Sequence, residues 1–282
     1  MKTLLLYTAI AVGMLSLVAC KHKTTAETTV SSDSVATVAD SQRVEIPSAE
    51  DFSLKEFSKK MKTAHYSYGI SIVLAQSKEH HHLATAINEW VNERLGGKYE
   101  GDINDGQAML NFYQKHWVAE EENDITNGEH NISITKVYET DKYITFEAST
   151  YWYSGGAHGG GSLSGATFRK SDGRKFDKSM ISDENALHPL LVKGLNKAFD
   201  ARNKEELGEL LMISGAYDSD NAEMKLINLP LPETEPWLTK EGLQLVYQQY
   251  EIGPYAVGMP TVQIPFAKLK SLLNASGKTY LK

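Results

Sequence analysis

The residues best suited to chemistry lie in one run, Tyr151-Trp152-Tyr153-Ser154-Gly155-Gly156-Ala157-His158-Gly159. His158 could carry or pass a proton, and the glycines around it allow positive φ and close approach by a ligand or another backbone. A plainer use is favoured, since no acid or nucleophile adjoins this lone histidine: the glycines let a strand turn sharply while His158 bonds a buried backbone group. The run is no phosphate cradle, because no Lys-Ser or Lys-Thr follows Gly161 and GxGxxG is absent. Gly161-Ser162 and Ser164-Gly165 do not make a GxSxG nucleophile turn. His80-His81-His82 suggests a metal, but adjacent helical residues point about 100° apart and cannot converge on one ion. Asp102-Ile103-Asn104-Asp105-Gly106 lacks the calcium-loop spacing: the fifth position is Gly106 and the twelfth is Tyr113. Asp105 or Asn104 as a helix cap accounts for it better. Asp218, Asp220 and Glu223 read as a solvated acidic surface. No metal ligand set, cofactor site or catalytic residue is assigned.

One further reactive group is Cys20, the only cysteine. It follows Lys2 and an apolar run from Leu4 to Ala19, which has the architecture of an export signal and is short for a membrane span. Leu17-Val18-Ala19-Cys20 resembles a lipobox, so residues 1–19 are expected to be a lipoprotein signal peptide, cleaved between Ala19 and Cys20. Cys20 would then carry the lipid, and two or three acyl chains hold a protein at a membrane far better than one. Lys21 is unlike the aspartate that retains some lipoproteins in the inner membrane, which favours the outer membrane, with the domain facing the periplasm or the surface. No thiol remains for a disulfide, so stability must come from an apolar core. The formal net charge is −7, and loss of Lys2 leaves −7 − 1 = −8. This argues against a nucleic-acid partner and favours basic ones.

Residues 20–48 are rich in Thr, Ser, Ala, Val and Asp and read as a flexible tether. Beyond it, alternation predicts a strand over 64–75, and helical spacing predicts helices over 78–95, 107–119 and 187–199. A hairpin is expected over 131–153 with its turn near Thr140-Asp141, and a strand over 163–170 that ends at Ser171-Asp172-Gly173. Residues 214–236 look irregular. Leu243, Leu245 and Tyr247, alternating with glutamines, predict a half-buried strand; Thr261–Ile264 predicts another, and Pro265 can open a last helix. Strands and helices interleave without a βαβ rhythm, so the fold class expected is α+β. Mixed or antiparallel sheets would carry packed helices in two closely associated subdomains, 49–165 and 166–282.

Two segments together resemble a known family. Tyr151 to Gly159 is similar to the Y-x-Y-x-GGAHG signature of bacterial envelope proteins with paired domains of unknown function 4163 and 3298. Gly242-Leu243, then Tyr250-Glu251-Ile252-Gly253-Pro254-Tyr255-Ala256-Val257-Gly258, then Val262 and Ile264-Pro265, resembles the closing motif of the same family. The likeness spans roughly residues 60–280. It implies an RsiV-like or PdaC-like extracytoplasmic module, the former a lysozyme receptor and the latter found beside a peptidoglycan deacetylase. The sequence shows no sigma-binding segment, no paired-aspartate motif and no His-x-x-x-His pair, so neither signalling nor deacetylation carries over. What the resemblance implies is a non-catalytic envelope domain for a lysozyme-like protein or a peptidoglycan fragment. Its candidate surfaces are the loop Gly155, Gly156, Ala157, His158, Gly159 and the segment bearing Tyr250, Glu251, Pro254 and Tyr255. The alternative is a wall- or glycan-modifying hydrolase, which requires an exposed His158 within hydrogen-bond reach of Glu147 or Glu251.

Overall fold

A computed structural model describes residues 52–77, 82–120, 125, 127–213 and 221–281. The segments expected to be leader and tether, with Cys20, and also His80, His81 and Asp218 to Asp220, lie outside the described residues. The chain is α+β, as its patterning implies. β1 (Phe52–Lys62), β2 (Tyr66–Ser77), β3 (Gly128–Glu139), β4 (Tyr143–Tyr153) and β5 (Gly160–Arg169) form a five-stranded sheet in that order. β2 and β3 run parallel while the other neighbours are antiparallel. A parallel pair needs a long crossover. Here the crossover contains α1 (His82–Leu95) and α2 (Gly106–Ala119).

The apolar stripe of α1, including Leu83, Ile87, Trp90 and Val91, joins Ile70, Ile72 and Leu74 of β2 in one buried cluster with Met109, Leu110 and Tyr113 of α2. Asp105 caps α2 by accepting a hydrogen bond from the Ala108 amide at 3.0 Å. Asn88 on α1 is fully buried; its amide accepts from the Ala75 N–H at 2.8 Å and donates to the Ala75 carbonyl at 2.9 Å. Ala75 lies beyond the end of β2–β3 pairing at Ser71, so Asn88 supplies the partner that a strand would otherwise give.

The rest of the chain builds a second core. It comprises α3 (Glu184–Ala198), α4 (Lys204–Leu210), α5 (Ala222–Ile227), β6 (Trp237–Leu238), β7 (Gly242–Val246), β8 (Thr261–Pro265), α6 (Phe266–Leu272) and α7 (Ala275–Lys278). The three strands form an antiparallel sheet in sequence order. Leu187, Leu191 and Leu195 of α3 pack with Leu243, Leu245, Val262, Ile264 and Leu269. Position 165/166, the expected subdomain boundary, falls inside β5, which stays paired to β4 through Arg169.

The join between the two sheets is specific. A Cβ on Gly165 would lie 2.3 Å from the Trp237 ring, so only glycine lets that fully buried indole pack on β5. Trp237 Nε1 donates to Glu147 Oε1 at 2.8 Å, and the Leu238 amide donates to Thr167 Oγ1 at 2.8 Å. β1 was not expected from the sequence: four lysines, at 55, 59, 60 and 62, dilute its apolar alternation, as suits an exposed sheet edge. Part of the stretch expected to be irregular, 214–236, is helical in α5.

Candidate functional site

The glycine-rich run does turn a strand. Gly155 and Gly156 both have φ +87°, and the chain passes from β4 through this bend into β5, whose first residues are Gly160 and Gly161. The Tyr153 hydroxyl donates to the Gly156 carbonyl at 3.1 Å and holds the bend in place. His158, however, is exposed, so the expectation that it satisfies a buried backbone group does not describe it. Its Nδ1 lies 3.0 Å from the Gly159 carbonyl, an acceptor only, so Nδ1 carries the proton. Nε2 is then free to accept, and the Tyr250 hydroxyl lies 3.3 Å from it.

The two candidate surfaces therefore form one group. The His158 imidazole stacks on Tyr255 at 3.8 Å between centroids and 18° between planes. Tyr250 lies 5.9 Å from Tyr255 at 37°. Tyr250 is 59% exposed, and Tyr151 and Trp152 on the adjoining end of β4 are each 43% exposed. Pro254 is exposed and leads a short 3-10 turn, Tyr255–Val257, that presents the Tyr255 ring.

What positions Tyr250 is a network of carboxylate and amide contacts. Tyr250 has φ +66°, a left-handed conformation that side chains rarely adopt. Glu251 closes the turn: its Oε2 accepts from the Gln248 N–H at 2.6 Å, and its Oε1 accepts from the Glu233 N–H at 2.7 Å. Gln248 then bonds the outer edge of β5 twice. Its Oε1 accepts from the Leu163 N–H at 3.1 Å, and its Nε2 donates to the Leu163 carbonyl at 2.8 Å. Gln249 Oε1 accepts from the Gly161 N–H at 2.8 Å. Gln248 and Gln249 thus latch the Tyr250 turn to the strand that follows the glycine loop.

Glu251 is thus engaged by two backbone amides, and Glu147 by Trp237 and, at 3.5 Å, by Gln244 Nε2. The hydrogen-bond partners of His158 are the Gly159 carbonyl and the Tyr250 hydroxyl; neither carboxylate is among them. Among the described residues, no three His, Cys, Asp or Glu side chains are placed to hold one metal ion. No described helix is long and apolar enough to cross a membrane. The chemistry on display is stacking and hydrogen bonding by exposed aromatic rings.

Comparison with known proteins adds a frame to this geometry. Residues 41–160, which contain the glycine loop, match the model of deacetylase PdaC, and residues 181–267, which contain the Tyr250 turn, match that of the DUF3298 proteins of unknown function. No curated protein matches the chain. A solved DUF3298 family structure from Bacteroides fragilis superposes with a TM-score of 0.59 at 19% identity, covering 82% of this chain and 98% of its own. A DUF3298 family protein from Pseudomonas aeruginosa superposes with a TM-score of 0.57 at 14% identity, covering 79% and 95%. At that identity the likeness establishes the fold. The chain thus joins a PdaC-like segment to a DUF3298 segment, an extracytoplasmic-type module whose fold is shared with DUF3298 proteins.

Proposed function

We propose that this protein is a non-catalytic, extracytoplasmic binding module, held to the outer membrane by lipid on Cys20, whose His158–Tyr250–Tyr255 group binds peptidoglycan fragments. The observation that carries this reading is Tyr250: a ring held in the left-handed region and 59% exposed against an exposed histidine. Apolar packing does not ask for such an arrangement. A sugar ring offers an apolar C–H face bounded by hydroxyls, and exposed aromatic faces with polar edges match both features. Tyr151 and Trp152 extend the same chemistry along β4.

A second reading is a basic, lysozyme-like protein partner, favoured by the net charge of −7. Its weakness is local: Glu251, the carboxylate nearest in sequence to Tyr250, already faces backbone amides. Calorimetric titration of the full chain with soluble peptidoglycan fragments, and separately with lysozyme, decides between the two. The glycan reading expects saturable uptake of fragments that weakens about tenfold or more in His158→Ala and Tyr255→Ala, the usual loss for a central aromatic contact. Silence with fragments sinks it, and lysozyme binding weakened by the same variants puts the protein partner in its place. Anchoring is tested separately: fatty-acid labelling and recovery in the membrane fraction should both disappear in Cys20→Ser.

A further inference from the structure

A cavity of about 320 Å³ opens at the opposite end of β4 from the glycine loop. Tyr143 starts this eleven-residue strand and Tyr153 ends it, which separates the two places by roughly 34 Å at about 3.4 Å per residue. Its walls are apolar and aromatic: Tyr143 from β4, Phe266 from α6, and Tyr280 and Leu281 from the C-terminal segment. The volume lies at the small end of the range in which proteins bind organic molecules.

The polar groups at this cavity are unevenly charged. Among the described residues, Lys142 and Lys270 line it together with one carboxylate, Asp141. Neighbouring cations are already paired: Lys136 and Lys170 both reach Glu139, at 2.8 and 2.6 Å, and Arg169 is held by Asp172. Lys142 and Lys270 make no side-chain hydrogen bond or ion pair among the described residues. Tyr143 is a buried residue whose hydroxyl has no hydrogen-bond partner among the described residues. Burial keeps that hydroxyl protonated, so it is a donor in want of an acceptor. In a protein of net charge −7, an aromatic cleft with two lysines and a phenol donor, none of them partnered among the described residues, presents local positive charge.

We infer that this cavity is a binding site for a small organic anion, a carboxylate carried on an aromatic or branched aliphatic body. The body would lie against Phe266, Tyr280 and Leu281, while the carboxylate would reach Lys142, Lys270 and the Tyr143 hydroxyl. This site does not depend on the glycan reading, since it shares no residue with the His158 group.

Calorimetry on the full chain tests it with three probes: 3-phenylpropionate, 4-methylpentanoate and the uncharged 3-phenylpropanol. Saturable one-to-one binding of the carboxylates is expected, with 3-phenylpropionate bound about tenfold tighter than the alcohol, the scale of a charge-assisted contact. The double variant Lys142→Gln with Lys270→Gln should abolish that preference at an unchanged melting temperature, because both side chains lack partners in the fold. Tyr143→Phe should weaken the carboxylates alone. Failure of both carboxylates to bind, equal affinity for acid and alcohol, or wild-type affinity in the double variant would each overturn the assignment.

Discussion

At Tyr250 the backbone and the side chain make opposite demands. A left-handed residue with a Cβ is strained by about 1–2 kcal/mol relative to glycine or, more weakly, asparagine. The ring recovers little of that by burial, since 59% of the residue is exposed. Tyr250→Asn should therefore keep or raise stability, by up to about 1 kcal/mol in chemical denaturation, while lowering affinity for peptidoglycan fragments at least tenfold. A variant that loses stability together with binding would make Tyr250 a packing residue instead. Both halves of this site were legible in the sequence as separate motifs, Gly155–His158 and Tyr250–Tyr255. Their union was not, because the contact spans 92 positions and depends on Gln248 and Gln249. Their amides carry no mark that distinguishes a latch from a solvated side chain.

Elements show the same economy at two places where one side of a strand lacks a neighbour. Asn88 supplies both a donor and an acceptor to Ala75 of β2, and Gln248 does the same for Leu163 of β5. Each amide replaces an absent strand, so removing it leaves two backbone groups unpaired. Asn88 is fully buried and Gln248 half-buried, so Asn88→Ala should cost about 2–3 kcal/mol and Gln248→Ala closer to 1 kcal/mol. Denaturation midpoints measure this order, and only Gln248→Ala should also weaken ligand binding, since only Gln248 fixes the Tyr250 turn. The longer elements were readable because α1, α2 and α3 run 14, 14 and 15 residues and repeat their apolar stripe several times. α4, α5 and α7 have 7, 6 and 4 residues, too few for a period to emerge. Their only early signal is an asparagine cap at each start, Asn203, Asn221 and Asn274, and asparagine marks turns as readily as helices.

Across the whole molecule, the shifted acidic and imidazole groups act in one direction with pH. His130 on β3 lies against Trp117 with ring centroids 4.2 Å apart and planes tilted by 31°, and burial lowers its pKa from the ordinary 6.5. Burial raises the Glu139 carboxyl, but hydrogen bonds from Lys136 and Lys170 outweigh that and hold it below its usual range. The hydrogen bond from Arg169 does the same for Asp172. In all three cases the unfolded chain binds its proton more readily than the folded one, so acid favours unfolding. The stability linked to His130 is complete above pH 6.5 and is lost as pH falls through its depressed folded pKa. The share linked to Glu139 and Asp172 persists to lower pH, down through their depressed values. Both carboxylates are more than a third exposed or close to it, so solvent screening keeps their share small. His130→Phe preserves an aromatic ring against Trp117 and removes the titrating group. Melting temperatures between pH 7.5 and pH 5 should fall in the wild-type protein and fall less in His130→Phe, while both proteins should lose stability further below pH 4. Identical curves for the two proteins between pH 7.5 and pH 5 would show that the half-buried imidazole contributes nothing to acid sensitivity, leaving the carboxylates to account for it.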